Sequence, residues 1–131
     1  MRSALYAVNT MSQTVANGGT INFGDIVRKF GCNISLLNGA VITQGRGYYD
    51  IDTNIVFTAT DAGTAVLTLY KDGVAIPGAV AQLTTAAAST YSVSIPAMVR
   101  EFADCKEAVI TAVLTGVAGT VINAAIKVEK V

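Results

Sequence analysis

The strongest constraint on the fold comes from residues 47–79, GYYDIDTNIVFTATDAGTAVLTLYKDGVAIPGA, where apolar and polar residues alternate with period two along two long runs. A period of two places successive side chains on opposite faces of an extended strand, so each run has one dry face and one wet face. In the first run Tyr49, Ile51, Ile55 and Phe57 fall on one side, and Asp50, Asp52, Asn54 and Thr58 on the other. In the second, Ala65, Leu67 and Leu69 lie opposite Thr64, Val66, Thr68 and Tyr70. The turn at Asp61-Ala62-Gly63 joins the two runs as a β-hairpin, and Lys71-Asp72-Gly73 reverses the chain again.

The remaining sequence reads in the same manner. Residues 4–9, with Leu5, Tyr6 and Val8, form a strand that breaks at Asn17-Gly18-Gly19. Residues 21–31 are irregular or an edge strand. Residues 33–37 and 40–43 flank Asn38-Gly39, a pair that tolerates positive φ at both positions and so specifies a two-residue hairpin turn. Pro77 lacks an amide to donate and Pro77-Gly78 ends a strand there. The alanines at 86–88 are a loop, since clean alternation resumes at Tyr91-Ser92-Val93-Ser94-Ile95. For residues 96–105 a short helical turn and an irregular strand both fit. Residues 108–115 and 120–128 are two further strands. With eight to ten short strands and no long amphipathic helix, the expected fold is all-β: a single-domain antiparallel β-sandwich of jelly-roll type over residues 1–131, with residues 1–30 a docking or edge segment.

The chemistry available is limited. The chain has no histidine, which removes the usual imidazole base and the commonest metal ligand. Cys32 and Cys105 are too few and too far apart in sequence for a four-thiolate zinc site, and both are expected to be buried thiols. Asp50 and Asp52 lie two apart on a wet strand face and read as solvating residues rather than a calcium site. Gly45-Arg46-Gly47 precedes a strand, whereas a phosphate cradle needs a following helix. Glu101, Asp104 and Glu107, interleaved with Arg100 and Lys106, read as an exposed charged loop. Asn33-Ile34-Ser35 is a glycosylation sequon only along a secretory route, which the N-terminal residues do not indicate. No catalytic constellation, cofactor or metal is implied.

Charged residues make up only 14% of the chain, against an ordinary ~25%, while 52% are hydrophobic. A lone globule with so few charges coats itself poorly, and a homo-oligomer is expected. The nine basic residues are scattered, apart from Arg28-Lys29, and form no stripe that would neutralise a nucleic acid. No apolar run approaches the ~20 residues of a membrane span. Synthesis and folding in the cytosol are expected.

The run GYYDIDTNIVFTATDAGTAVLTLYKDGVAIPGA, with the later YSVSIPAMVREFADC and ITAVLTGVAGTVINAAIKVEKV, resembles small bacterial and phage proteins of the tumour-necrosis-factor/complement-like jelly-roll superfamily. KDGVAIPG is the most specific part. The resemblance implies a compact homotrimer of two-sheet jelly rolls, with Tyr49, Phe57 and Leu114 among the apolar residues at its three-fold core. It further implies a non-enzymatic role as a capsid decoration or fibre component of a phage virion assembled in the bacterial host cytoplasm. Other virion proteins, such as the major capsid protein, would then be partners, reached through the N-terminal segment and its Leu5, Tyr6 and Val8. The alternative is a carbohydrate- or receptor-binding head, for which Tyr48 and Tyr70 are the candidate outward aromatics.

Overall fold

The computed structural model describes residues 2–103 and 106–131. Among these there is no helix, and the strands form two antiparallel sheets. In chain order they are β1 (Ser3–Asn9), β2 (Gln13–Val15), β3 (Gly19–Ile21), β4 (Asp25–Phe30), β5 (Ile34–Leu37), β6 (Ala40–Gln44), β7 (Gly47–Ala59), β8 (Gly63–Lys71), β9 (Val74–Thr85), β10 (Thr90–Glu101), β11 (Glu107–Thr115) and β12 (Gly119–Lys130). Sheet A runs β10-β7-β12-β1-β4 with β2 added on β12, and sheet B runs β5-β6-β11-β8-β9 with β3 added on β11. The chain changes sheet at every connection except β1–β2, β5–β6 and β8–β9, which is the weave of a jelly roll. The short β2 and β3 carry the strand count to twelve, beyond the eight to ten expected.

The central stretch is not a hairpin. β7 pairs with β10 and β12 in sheet A, whereas β8 pairs with β9 and β11 in sheet B. Alternation identifies which face of a strand is dry but not which strand lies beside it. Here the two dry faces meet across the sandwich, so Tyr49, Ile51, Ile55 and Phe57 share one core with Ala65, Leu67 and Leu69. The tight hairpins lie elsewhere, at β5-β6 and β8-β9. Their turns hold Asn38 and Gly39 at φ 51° and 77°, and Asp72 and Gly73 at φ 52° and 80°, the paired left-handed conformation that matches strand twist.

Both prolines sit within strands. Pro77 lies in β9, the edge of sheet B, where the register with β8 shifts between Thr68 and Tyr70, and Pro96 lies in β10, the edge of sheet A. An edge strand leaves alternate amides unpaired, which is why each strand passes through its proline. Residues 96–101 therefore continue a strand and make no helical turn.

The N-terminal segment belongs to the fold. β1 lies between β12 and β4, and its Leu5 and Ala7 are buried in the common core. β4 is the edge strand of this sheet opposite β10. The chain's accessible surface is 6551 Å², close to the ~6,500 Å² of a compact monomer of this mass. Much of the apolar excess is thus spent inside one chain, on a core in which each fully buried aliphatic or aromatic side chain contributes about 1.5–3 kcal/mol.

Candidate functional site

The registers bring both chain ends to the same end of the sandwich. Ser3 pairs with Lys130, Lys130 with Tyr49 and Tyr49 with Val99, while in sheet B Glu107 pairs with Gln44 and Lys71 with Val74. We call this the terminal end. All nine Lys and Arg residues lie there or within a few residues of it. The opposite end, built from the turns at residues 10–12, 16–18, 60–62, 86–89 and 116–118, carries Asp61, with Asp25 nearby at the start of β4, and no cation.

At the terminal end a side-chain cluster is built by β7 and β10. Tyr48 and Arg100 are a cross-strand pair facing away from the core. The Arg100 guanidinium lies 5.4 Å from the centroid of the Tyr48 ring and 4.4 Å from that of Phe102. Such stacking is worth roughly 0.5–1 kcal/mol at an exposed site. Both rings are exposed, as is Met98 two residues earlier. Arg46 Nε donates to the Phe102 carbonyl at 3.2 Å and so holds the ring's backbone.

Directly behind this cluster, Glu101 points inward and is 1% exposed. Its Oε1 meets Lys71 Nζ at 2.9 Å, and the same ammonium donates to the Arg100 carbonyl at 3.0 Å. The pair therefore ties β10 of sheet A to β8 of sheet B. Glu101 Oε2 has no hydrogen-bond partner among the described residues. Beside it, Tyr49 donates its hydroxyl to the carbonyls of Gln44 and Gly45 at 2.8 and 2.9 Å. Burial, and then the Glu101 charge, push the Tyr49 phenol above its ordinary value.

The outward face of sheet A carries a second feature, a shallow groove of about 530 Å³. Tyr6 and Pro96 stand among its walls, with Asp52, Asn54, Asn123 and Lys127 between them. Lys127 Nζ lies 3.5 Å from Asp52 and 3.6 Å from Glu129, and these carboxylates raise its pKa, Glu129 more than Asp52. No group of three or more His, Cys, Asp or Glu side chains placed to hold a metal occurs among the described residues.

No protein-family model and no curated protein sequence matches the chain. Solved structures do. Murine APRIL superposes with a TM-score of 0.71 at 12% identity, covering 100% of both chains. The globular domain of zebrafish complement 1qA protein gives 0.59 at 10% identity over 96% of this chain and 94% of its own. The fold is the tumour-necrosis-factor/complement-like jelly roll. PRD1 vertex protein P5 has it too, with a TM-score of 0.62 at 12% identity over 98% of this chain and 95% of that one.

Within this jelly roll several expected site residues take other places. Tyr49, Phe57 and Leu114 are each 0% exposed in the isolated chain. They have no surface to give to a neighbouring copy, so they build the subunit's own core and not a three-fold interface. The expected docking trio splits: Leu5 is core, Val8 is half-buried, and Tyr6 stands on the outward face of sheet A. Asp50 and Asp52 lie on that same outward face. Tyr48 is exposed and Tyr70 half-buried. Gly45-Arg46-Gly47 leads into β7 with no helix behind it. Cys32 is an exposed free thiol rather than a buried one, and Cys105 lies outside the described residues, as does Asp104.

Glu101, expected in an exposed charged loop, is instead buried and paired with Lys71. The signal was present: Tyr91, Val93, Ile95, Ala97 and Val99 set an inward parity on β10, and Glu101 continues it. The Arg100 cluster had no comparable signal, because it depends on the pairing of β10 with β7.

Proposed function

We propose that this protein is a non-enzymatic structural component of a phage virion, a vertex, capsid-decorating or fibre-head protein, working as a homotrimer. The observation that carries this reading is the whole-chain similarity to PRD1 vertex protein P5. The surface supports it. The outward face of sheet A exposes Tyr6, Ile122 and Met98 among small and polar residues, a mixture suited to association between copies. In this reading the trimer contact is made by that face, and assembly takes place in the bacterial host cytoplasm, with capsid proteins as further partners.

Light scattering during gel filtration tests the assembly. The expected mass is three times the chain's 13.5 kDa, and Tyr6→Asp should reduce it to one chain without changing the β-sheet circular dichroism. A wild-type mass of a single chain at micromolar concentration would remove the trimer. Immunogold labelling of particles from a host that expresses the protein tests the virion role, with label on the particle as the expected result.

A further inference from the structure

We propose that adjacent copies of this chain are joined by an ion pair in which Arg100 of one copy meets Asp50 of the next. This deepens the homotrimer reading and rests on it, since both residues stand on the outward face of sheet A, where that reading places the contact between copies.

That face carries a charge conflict that one chain does not resolve. Asp50 on β7 and Glu129 on β12 are directly opposite in register, and Asp52 and Lys127 occupy the next two positions on the same face. Two carboxylates directly opposite each other across a strand pair repel, so the placement costs the isolated chain stability. Lys127 relieves part of this. Its ammonium lies 3.5 Å from Asp52 and 3.6 Å from Glu129, so one cation serves two acids, and Asp50 makes no ion pair among the described residues. Asp50 is also half-buried, which raises the cost of leaving its charge unpaired.

The missing cation stands on the same face. The registers place Arg28 of β4, Lys127 of β12 and Arg100 of β10 there. Lys127 is shared between its two acids, and Arg28 Nη1 donates to the Val27 carbonyl at 3.0 Å. Arg100 is exposed and makes no ion pair among the described residues. Although its cross-strand partner Tyr48 is two residues from Asp50, its guanidinium stacks on Tyr48 and Phe102 instead of reaching the carboxylate. An unpaired acid and an unpaired base therefore share one face without meeting.

A three-fold ring brings them together. In such a ring the patch that a copy gives differs from the patch that it receives, because the rotation does not exchange two neighbours. Sheet A has one of each kind. Its edge strand β10 presents Arg100 and Met98 beside Tyr48 and Phe102, the mixture of arginine, methionine and aromatic side chains enriched at the centres of protein interfaces. Its inner strands β7 and β12 present Asp50, Asp52 and Glu129 with Lys127 as the one cation among them. Seating the first patch on the second patch of the next copy supplies a cation to every Asp50 around the ring. The same charges fix the register of the contact, since acid against acid or base against base is penalised.

Sedimentation equilibrium of the full-length protein over a range of concentrations measures how readily the trimer dissociates. Arg100→Ala and Asp50→Ala should each weaken it about tenfold or more, and the double variant should be weaker by little more than the larger single loss, because both changes remove one contact. Arg100→Glu should weaken it further than Arg100→Ala does. Raising sodium chloride should weaken the wild-type trimer more than the double variant. Arg28→Ala, on the opposite edge of the sheet, should change it by less than about twofold. Should an alanine variant lose the β-sheet circular dichroism, Arg100→Gln and Asp50→Asn, which keep the side-chain size, carry the same cycle. A wild-type trimer whose dissociation is unchanged by Arg100→Ala, or losses that simply add in the double variant, would overturn the ion pair and leave the trimer standing. A wild-type protein of one chain at every concentration would overturn the trimer reading itself, and this contact with it.

Discussion

Glu101 and Lys71 set a demanding electrostatic condition, because a carboxylate that is 1% exposed is paired with the Lys71 ammonium at 2.9 Å. Removing one partner of a buried pair leaves an uncompensated charge, so Lys71→Met should destabilise by about 3 kcal/mol. Replacing both, as Lys71→Met with Glu101→Leu, should recover most of that loss, since the desolvation cost disappears with the charge. Urea denaturation of the single and double variants measures the difference, and equal losses in both would show that the pair acts through packing alone. Tyr49 adds a pH dependence at the opposite extreme. Its phenol is raised above the ordinary 10.0 by burial and by Glu101. The folded state therefore holds this proton more tightly than the unfolded state does. The corresponding stability is complete below pH 10 and declines as pH rises through the folded value. Ultraviolet titration should show a tyrosine ionisation above the ordinary phenol range, and Tyr49→Phe should abolish that late step.

At the scale of elements, the turns decide what the strands can pair with. The β7–β8 connection through residues 60–62 contains no residue with positive φ. It crosses the sandwich, whereas Asn38-Gly39 and Asp72-Gly73, left-handed at both positions, close true hairpins. This is why the dry faces of β7 and β8 were legible in the sequence while their partners were not: face follows from parity, and partner follows from connection geometry and tertiary packing. The same reasoning made the all-β class, the two Asn-Gly and Asp-Gly reversals and most core residues readable. It left the β7–β10 register, and so the Arg100 cluster, out of reach. Glycines in two turns provide a test. Gly116 has φ 89°, and a Cβ there would collide with the Thr64 carbonyl at the start of β8, whereas Gly73 has φ 80° with open space around it. Gly73→Ala should cost about 1 kcal/mol, from backbone strain alone. Gly116→Ala should cost about 3 kcal/mol or more, because strain is joined by displacement of the β8 backbone. Thermal unfolding of the two variants should separate them clearly, and equal costs would mean that the turn yields freely.

For the whole molecule, the place of the N-terminal segment determines how a truncation behaves. A segment that only docks could be removed without loss of the fold, and a soluble jelly roll would remain. Here β1 is hydrogen-bonded along its full length to β12 and along most of it to β4, and it inserts Leu5 and Ala7 into the core shared by both sheets. Its removal would strip one side of β12, detach β4 from the sheet and leave a trough in the core. Losing Leu5 alone should cost about 2–5 kcal/mol by the usual large-to-small scale. That loss alone is a large part of the ~5–15 kcal/mol that a domain of this kind has in total, and the lost β1 pairings add to it. Deleting residues 2–22, which also removes β2 and β3, should therefore give a chain that is insoluble or lacks the sharp cooperative transition of the intact protein. Circular dichroism melting and proton NMR dispersion measure this directly. A truncated chain that stays soluble with dispersed amide signals would show that β1 is dispensable and would return docking to the N-terminal segment.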